Sequence, residues 1–492
     1  MTMRARERYL PAITAIVAVL SLATPGTARF VGQQLRDLIP GLNGFRRADL
    51  PGSAERLRVT ALRLPNDPAA ECAAAFTHRD HTKTAWSDRT GVLGVVAALE
   101  DVERRHPDSP CVVAADIAAL AMRGNNRDEM VEIAALAARG ERLEPGNAFF
   151  SAVRCGALMK LDDQSGALVA LRRAAKGPRW DDHLGTVTDG TLRLIDAQGG
   201  PNGRALEQIL VLQIPTDWGN AASLIVGGAD AALDRAAVLD ERGRISESVA
   251  LRHDVMKMGS RMRTGSTSMF EAMRGSWLAV AAARRPGWAS QAGEVSGSAD
   301  YVNWLSANGQ RAEAAYVTDQ LRRREAVRFV VQSAISDHGV SEAVWLVSRS
   351  CFPDSFLLYC CGWALLCWLG LALARKGARP ALVKLPLGFG LIWAVWLCAC
   401  GILPFAGLAA TTAALYMIVS DTIRSAPAGR RGSEGPRPEA VGRMMLCVFA
   451  IVVLALAPFA ARVQRDRYAY ARAAAHGEGA YVARQLNLPW PD

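Results

Sequence analysis

At 492 residues, half of them apolar, and with a mean hydropathy just above zero, the chain fits an α-rich membrane protein with room for one large domain beside its membrane part. Its formal charge of +10 does not point to nucleic acid, because the excess sits at the ends. Residues 355–492 carry 14 Lys/Arg against 6 Asp/Glu, residues 1–24 carry three against one, and residues 25–354 carry 40 of each sign.

Arg4, Arg6 and Arg8 precede an apolar stretch from Tyr9 to Thr24. Residues 1–28 therefore read either as a signal peptide cut after Gly26-Thr27-Ala28, a small-x-small site, or as an uncleaved signal anchor. Both readings export the chain beyond residue 28.

Residues 29–354 form the expected exported domain. After a mixed opening with Pro40, Pro51 and Pro65, the pattern from Pro68 turns helical, with apolar positions at i, i+3, i+4 and i+7. Leu93–Arg105, Val112–Met122, Asp128–Ala138, Ala148–Lys160 and Gln164–Ala175 are predicted helices, separated by Gly, Pro, Asn and Asp. Sustained alternation with β-branched residues is missing, so the domain is expected to be all-α over residues 68–350.

Some of these helices pair. Ala148–Lys160, the turn Asp162-Asp163 and the run from Gly166 to Ala174 resemble a tetratricopeptide unit. Ala167, Leu171 and Ala174 fall where that family places the small, large and small packing residues of its second helix. Pro145 and Pro178 stand 33 residues apart, close to the family period of about 34. Stretches beginning at Gly243 and Gly309, 66 residues apart, echo the same pattern. Ser151 and Arg154 depart from it, standing where a large aromatic and a leucine are expected, and residues 179–235 break the phase. The resemblance covers 110–178 and 236–328 with degenerate repeats; a generic α-solenoid is the alternative. Either one buries the apolar face of each hairpin on its neighbours and leaves an extended binding surface.

Residues 355–461 read as a transmembrane helix bundle following that solenoid. Phe356 to Ala374 holds 19 residues without a charge, enough to cross a bilayer core of about 30 Å. Leu385 to Val419 lacks Asp, Glu, Lys and Arg for 35 residues, about 52 Å as one helix, so it is expected to break at Gly401-Ile402-Leu403-Pro404. The predicted spans are 356–374, 385–401, 403–419 and 444–461. Ala406, Ala410 and Ala414 form a small-xxx-small ridge that suits close helix packing or serves as plain filler. The loops 375–384 and 421–443 carry four and five Lys/Arg, which places them in the cytoplasm and the domain outside, at an inner (plasma) membrane. The basic tail 462–492, with Arg462, Arg465, Arg467 and Arg472, sits awkwardly on the outer face. It reads either as an interfacial helix on anionic lipid or as a solvated helix.

Chemistry is sparse. The spans hold no Asp, Glu, Lys, Arg or His, which argues against a proton relay or ion path. His78 and His81 share a polar segment with Asp80 and Asp88, yet a third metal ligand is not identifiable and a solvated turn fits better. Searches for a G-x-S-x-G elbow, H-E-x-x-H, a Walker A loop or a dinucleotide fingerprint find none, so no catalytic, cofactor-binding or metal residue is assigned. Six of ten cysteines lie in the apolar runs. Cys72, Cys111 and Cys155 sit in the exported domain and Cys351 at its edge; Cys72–Cys111 is a possible disulfide in an oxidising compartment, with buried free thiols the alternative. The expected function is a membrane-anchored scaffold or adaptor whose solenoid binds an envelope protein or peptide. The alternative is a subunit of a membrane transport or enzyme complex, with Arg375, Arg379, Lys384 and Arg443 as its basic candidates.

Overall fold

A computed structural model describes residues 57–64, 66–78, 89–124, 126–197, 205–284, 293–336, 476–485 and 488–490, with a few isolated positions; side chains of 89, 205–217, 293–297, 334–336 and 485 are not described. The four apolar runs, the loops between them, His81, Asp80, Asp88 and Cys351 lie outside the described residues. Among the described residues no helix is long and apolar enough to cross a membrane.

The described chain is helical throughout and contains no strand; one isolated bridge joins Asn147 to Arg179. In order the helices are α1 (Pro68–Ala75), α2 (Arg89–Arg105), α3 (Pro110–Arg123), α4 (Arg127–Leu143), α5 (Ala148–Lys160), α6 (Gln164–Lys176) and α7 (Leu184–Ala197). They continue as α8 (Ala205–Glu241), α9 (Ile245–Gly265), α10 (Met269–Ala282), α11 (Gly293–Ala307), α12 (Arg311–Ser336) and α13 (Glu478–Gln485). Apart from Ala205, all belong to one compact unit made of residues 50–200, 206–337 and 469–492.

Local chemistry sets the boundaries. Asp67 caps α1 by accepting from the Ala70 amide at 3.0 Å, and Pro68 follows at the first helical position, where its missing N–H costs nothing. Asn126 and Glu129 close a reciprocal capping box on α4. Asn147 caps α5 and also exchanges hydrogen bonds with the backbone of Asp181 at 2.7 and 2.9 Å, which ties the loop after α6 to the start of α5.

Three hairpins share one turn. Asp162, Gly243 and Gly309 each take a left-handed conformation, at φ of 65°, 71° and 77°. The next amide in each case reaches back five residues: Asp163 to Leu158, Arg244 to Leu239, and Gln310 to Leu305, at 2.8–3.0 Å. These are the hydrogen bonds by which a helix ends and reverses. The 66-residue echo between Gly243 and Gly309 is thus a repeated turn as well as a repeated sequence.

Each helix from α1 to α5 packs on the next in sequence, α9 packs on α6 and α10, and α12 packs on α10 and α11. The chain leaves the hairpin rhythm after α6, α7 returns to lie on α1, and α8 runs for 37 residues, about 55 Å. Glycines permit the closest crossings: a Cβ on Gly259 would come within 2.6 Å of the Gly275 carbonyl oxygen, and one on Gly228 within 2.7 Å of Gly156 Cα.

Ala167, Leu171 and Ala174 are all fully buried, and α6 folds back on α5. Ala167→Leu adds three carbons to that seam and is expected to cost about 1–3 kcal/mol. Arg173→Leu, where the guanidinium is mostly exposed and reaches Glu141 at 3.3 Å, should change stability by no more than about 0.5 kcal/mol. Chemical denaturation of the two variants compares them directly; equal losses would mean that the α5–α6 seam tolerates bulk at Ala167.

Candidate functional site

Among the described residues a cavity lies where α8, α10 and α12 meet. Ser268 starts α10 by accepting from the Phe270 amide at 3.2 Å. Glu271, Gly275, Leu278 and Ala282 then turn inward; Gly275 meets Gly259, so α10 sits close on α9. With that face buried, Phe270, Met273 and Trp277, spaced i, i+3 and i+7, emerge on the outer side and remain 45%, 39% and 40% exposed. Three large apolar side chains thus share one stripe of the surface.

The cavity, of about 540 Å³, borders this stripe. Val226 of α8, Met273 and Trp277 of α10, and Val327 and Val331 of α12 supply apolar walls. Arg274, Arg324 and Arg328 supply positive charge on the same walls. Arg274 donates to the Gly219 carbonyl at 2.7 Å, which fixes its guanidinium at the α8 side. Glu325 accepts from Arg324 at 2.9 Å and lies 3.8 Å from Arg328. An apolar trough edged by guanidiniums suits an anionic amphipathic ligand: the apolar face is desolvated, and carboxylates meet donors that always carry charge.

Titratable groups also cluster around residues 179–183, in a closed setting. Glu144 is held well down, to about 2, against the cost of its own burial, by hydrogen bonds from His183, Asn147 and Arg179. His183 in turn is raised, burial being outweighed by Glu144, which lies 3.0 Å from its Nε2, and by Asp181. Asp182 and Glu271 are both fully enclosed and share a hydrogen bond; burial pushes both up, Glu271 well above the usual carboxylate range. This group anchors the 179–183 loop onto α10 and does not line the cavity.

The residues singled out from sequence are dispersed. His78 lies in a short 3₁₀ turn against Gly94, with Arg58 Nη1 at 2.9 and 2.7 Å from its two ring nitrogens. That guanidinium stands where a metal ion would approach. Among the described residues no three His, Cys, Asp or Glu side chains are grouped to hold a metal. Cys72, Cys111 and Cys155 are free and buried. Arg375, Arg379, Lys384, Arg443 and the Ala406–Ala410–Ala414 ridge lie outside the described residues.

Part of the basic tail follows neither of its two readings. Ala483 of α13 is buried among Met269, Val327, Val330 and Val331, with Val482, Leu488 and Trp490 packed around them. The Glu478 amide donates to Thr267, and its carboxylate accepts from the Met269 amide, each at 2.9 Å. A carboxylate at the first turn of α10 also opposes the positive end of that helix. The segment is thus an intramolecular prop for α10 and α12.

The cavity was missed in the sequence, although its elements are visible there: the Phe270, Met273, Trp277 spacing and the arginine run Arg322-Arg323-Arg324 followed by Arg328. The pattern that would join them is tertiary. The chain matches no protein-family model, no curated protein and no solved structure at a significant level.

Proposed function

We propose that this chain is a membrane-anchored α-solenoid adaptor whose helical domain, on the outer side of an inner (plasma) membrane, binds an acidic amphipathic segment of another envelope protein in the groove between α10 and α12. The single observation that carries the reading is the exposed Phe270–Met273–Trp277 stripe beside Arg274 and Arg328. A helix laid in such a groove buries its apolar face on the stripe and directs acidic side chains to the guanidiniums. The resemblance to tetratricopeptide hairpins points the same way, since such solenoids present binding surfaces.

Topology enters through the tail. The four apolar runs 356–374, 385–401, 403–419 and 444–461 lie between α12 and α13, and α13 docks on α10 and α12. A tail that shares a core with the domain must lie on the same side of the bilayer, which requires an even number of crossings between Ser336 and Glu478. Four spans meet that condition, and they leave both basic loops on the opposite side. Docking also gives the basic tail a reason to be outside despite its charge.

Affinity purification from mild detergent tests the binding reading, with wild type beside Trp277→Ala and Arg328→Glu. A co-eluting protein with an acidic amphipathic segment should be present with wild type and reduced about 10-fold or more in each variant. The exposed control Arg172→Glu should retain it. Equal recovery with all four chains would remove the groove from the proposal. Reporter fusions at Gly309, at Gly432 and after Asp492 test the topology; the first and third should report the outside and the second the cytoplasm.

A further inference from the structure

The C-terminal segment that holds α13 packs on the domain as a small unit of its own. The Leu488 amide donates to the Ala483 carbonyl at 2.8 Å, and the Trp490 ring lies against Gly479, where a Cβ would collide with it. Leu488 and Trp490 thus fold back along the helix. With Val482 and Ala483 they pack on Met269 of α10 and on Val327, Val330 and Val331 of α12. This cluster is separate from the main apolar core of the domain.

The seat of α13 is continuous with the groove. Val327 and Val331 line the cavity, and Met269 directly precedes Phe270 at the start of the stripe. With α13 in place Met269, Val327, Val330 and Val331 are at most 4% exposed, whereas Phe270 and Met273 are 45% and 39% exposed. The apolar wall of the groove therefore runs on beneath the tail.

We propose that α13, with Leu488 and Trp490, is a detachable strap over one end of the α10–α12 groove. Its release uncovers Met269, Val327, Val330 and Val331 for the acidic segment proposed above; this regulation rests on that reading, whereas the strap itself does not. The strap is weakly held. An eight-residue helix is not stable alone in water, so α13 depends on its seat. Of its hydrophobic residues Ala483 is fully buried, and Val482, Leu488 and Trp490 are partly so. Arg472 and His476 reach Asp196 and Asp189 of α7 at 3.0 and 3.8 Å, but both cations are mostly exposed, and such pairs contribute little. An element with so small a buried area opens at the low end of a domain's local stabilities.

Glu478 gives the seat its chemical selectivity. Its amide donates to the Thr267 carbonyl and its carboxylate accepts from the Met269 amide, at the positive end of α10. The tail thus presents a carboxylate to the α10 start and apolar side chains to the valines. These are the two features assigned to the partner segment, so strap and partner are alternative occupants.

A fluorescent synthetic peptide of residues 476–492 is titrated, in mild detergent, into the full chain and into a chain ending at Ala475. The shortened chain should bind it saturably. The full chain should bind at least about 10-fold more weakly, because its own tail competes at a high effective concentration. Val330→Asp in the shortened chain should abolish binding, since Val330 belongs to the seat and not to the cavity lining. Glu478→Lys keeps the full length, sets a cation on the α10 N-terminus, and should raise peptide binding about 3-fold over wild type. The proposal is overturned if a shortened chain with the far-ultraviolet circular dichroism of the full chain leaves the peptide unbound, or if the full chain binds as tightly. Should the shortened chain unfold, wild-type binding by Glu478→Lys overturns it instead. Affinity purification with the same chains separates the two readings. More partner should be recovered with the shortened chain, and equal recovery from both overturns the regulation. A partner absent from both would count against the adaptor reading, with the titration still deciding the strap.

Discussion

Arg252→Met is expected to cost about 3–5 kcal/mol, more than any surface change in the domain. Arg252 lies on α9 with its side chain almost fully buried, and its charge is met from several directions. Nη2 donates to Asp240 at 3.0 Å, and Nη1 donates to the carbonyls of Ala282, at 3.3 Å, and Arg284. The guanidinium carbon also stands 5.8 Å from the centre of the Tyr301 ring. One side chain thereby joins the end of α8, the end of α10 and α11 to α9. The carbonyls it serves lie where α10 runs out of intrahelical donors. Methionine fills much of the volume but removes the guanidinium from beside Asp240 and takes that donor away from the two carbonyls. Chemical denaturation followed by far-ultraviolet circular dichroism reads the loss. Adding Asp240→Leu to Arg252→Met should recover about 1 kcal/mol, because the loss of the ion pair to this carboxylate is part of the penalty. A single variant as stable as wild type would show that α8, α9 and α10 are held by apolar packing alone.

Fold class was legible because it depends on local periodicity. Helices α2 to α6 appear within a few residues of their expected limits, and Ala148–Lys160 matches at both ends. Gly243 and Gly309 were legible as helix ends, since a left-handed turn there favours glycine or a residue such as Asp162. Other features depend on residues far apart in sequence. Nothing local marks Gly156 and Gly228 as a crossing point, or sets Glu478 on the first turn of α10 more than 200 residues upstream. The groove belongs to this second kind: Trp277 and Arg328 become neighbours only once α10 and α12 pack. The spacing of 39 between Cys72 and Cys111 suggested neighbouring helices, and both lie, buried and free, on α1 and α3, which pack on one another.

Asp116→Asn is expected to stabilise the domain and flatten its dependence on pH. Asp116 sits midway along α3 among Val112, Val113, Ala115 and Ile117, and its Oδ2 is enclosed without a hydrogen-bond partner. Burial pushes its carboxyl from 3.8 to about 8; Glu103 adds to the rise, and Arg139 opposes it weakly because its guanidinium is bonded to Glu103 and the Pro107 carbonyl. The folded chain therefore binds a proton that the unfolded chain releases near pH 4. Stability from this residue is fully present below about pH 4, falls as pH rises through the window, and is lost above about pH 8. A rise from 3.8 to about 8 sets a ceiling of about 6 kcal/mol, and relaxation around the site lowers the expected gain of Asp116→Asn at pH 8 to about 1–4 kcal/mol. Asp182 and Glu271 are raised by burial too, so the wild type should slope downward even apart from Asp116. The difference between variant and wild type isolates the one residue: near zero at pH 4, growing through pH 6, and level above about pH 8. Thermal denaturation at a series of pH values supplies that curve, and a constant difference would mean that Asp116 is ionised in the folded protein throughout.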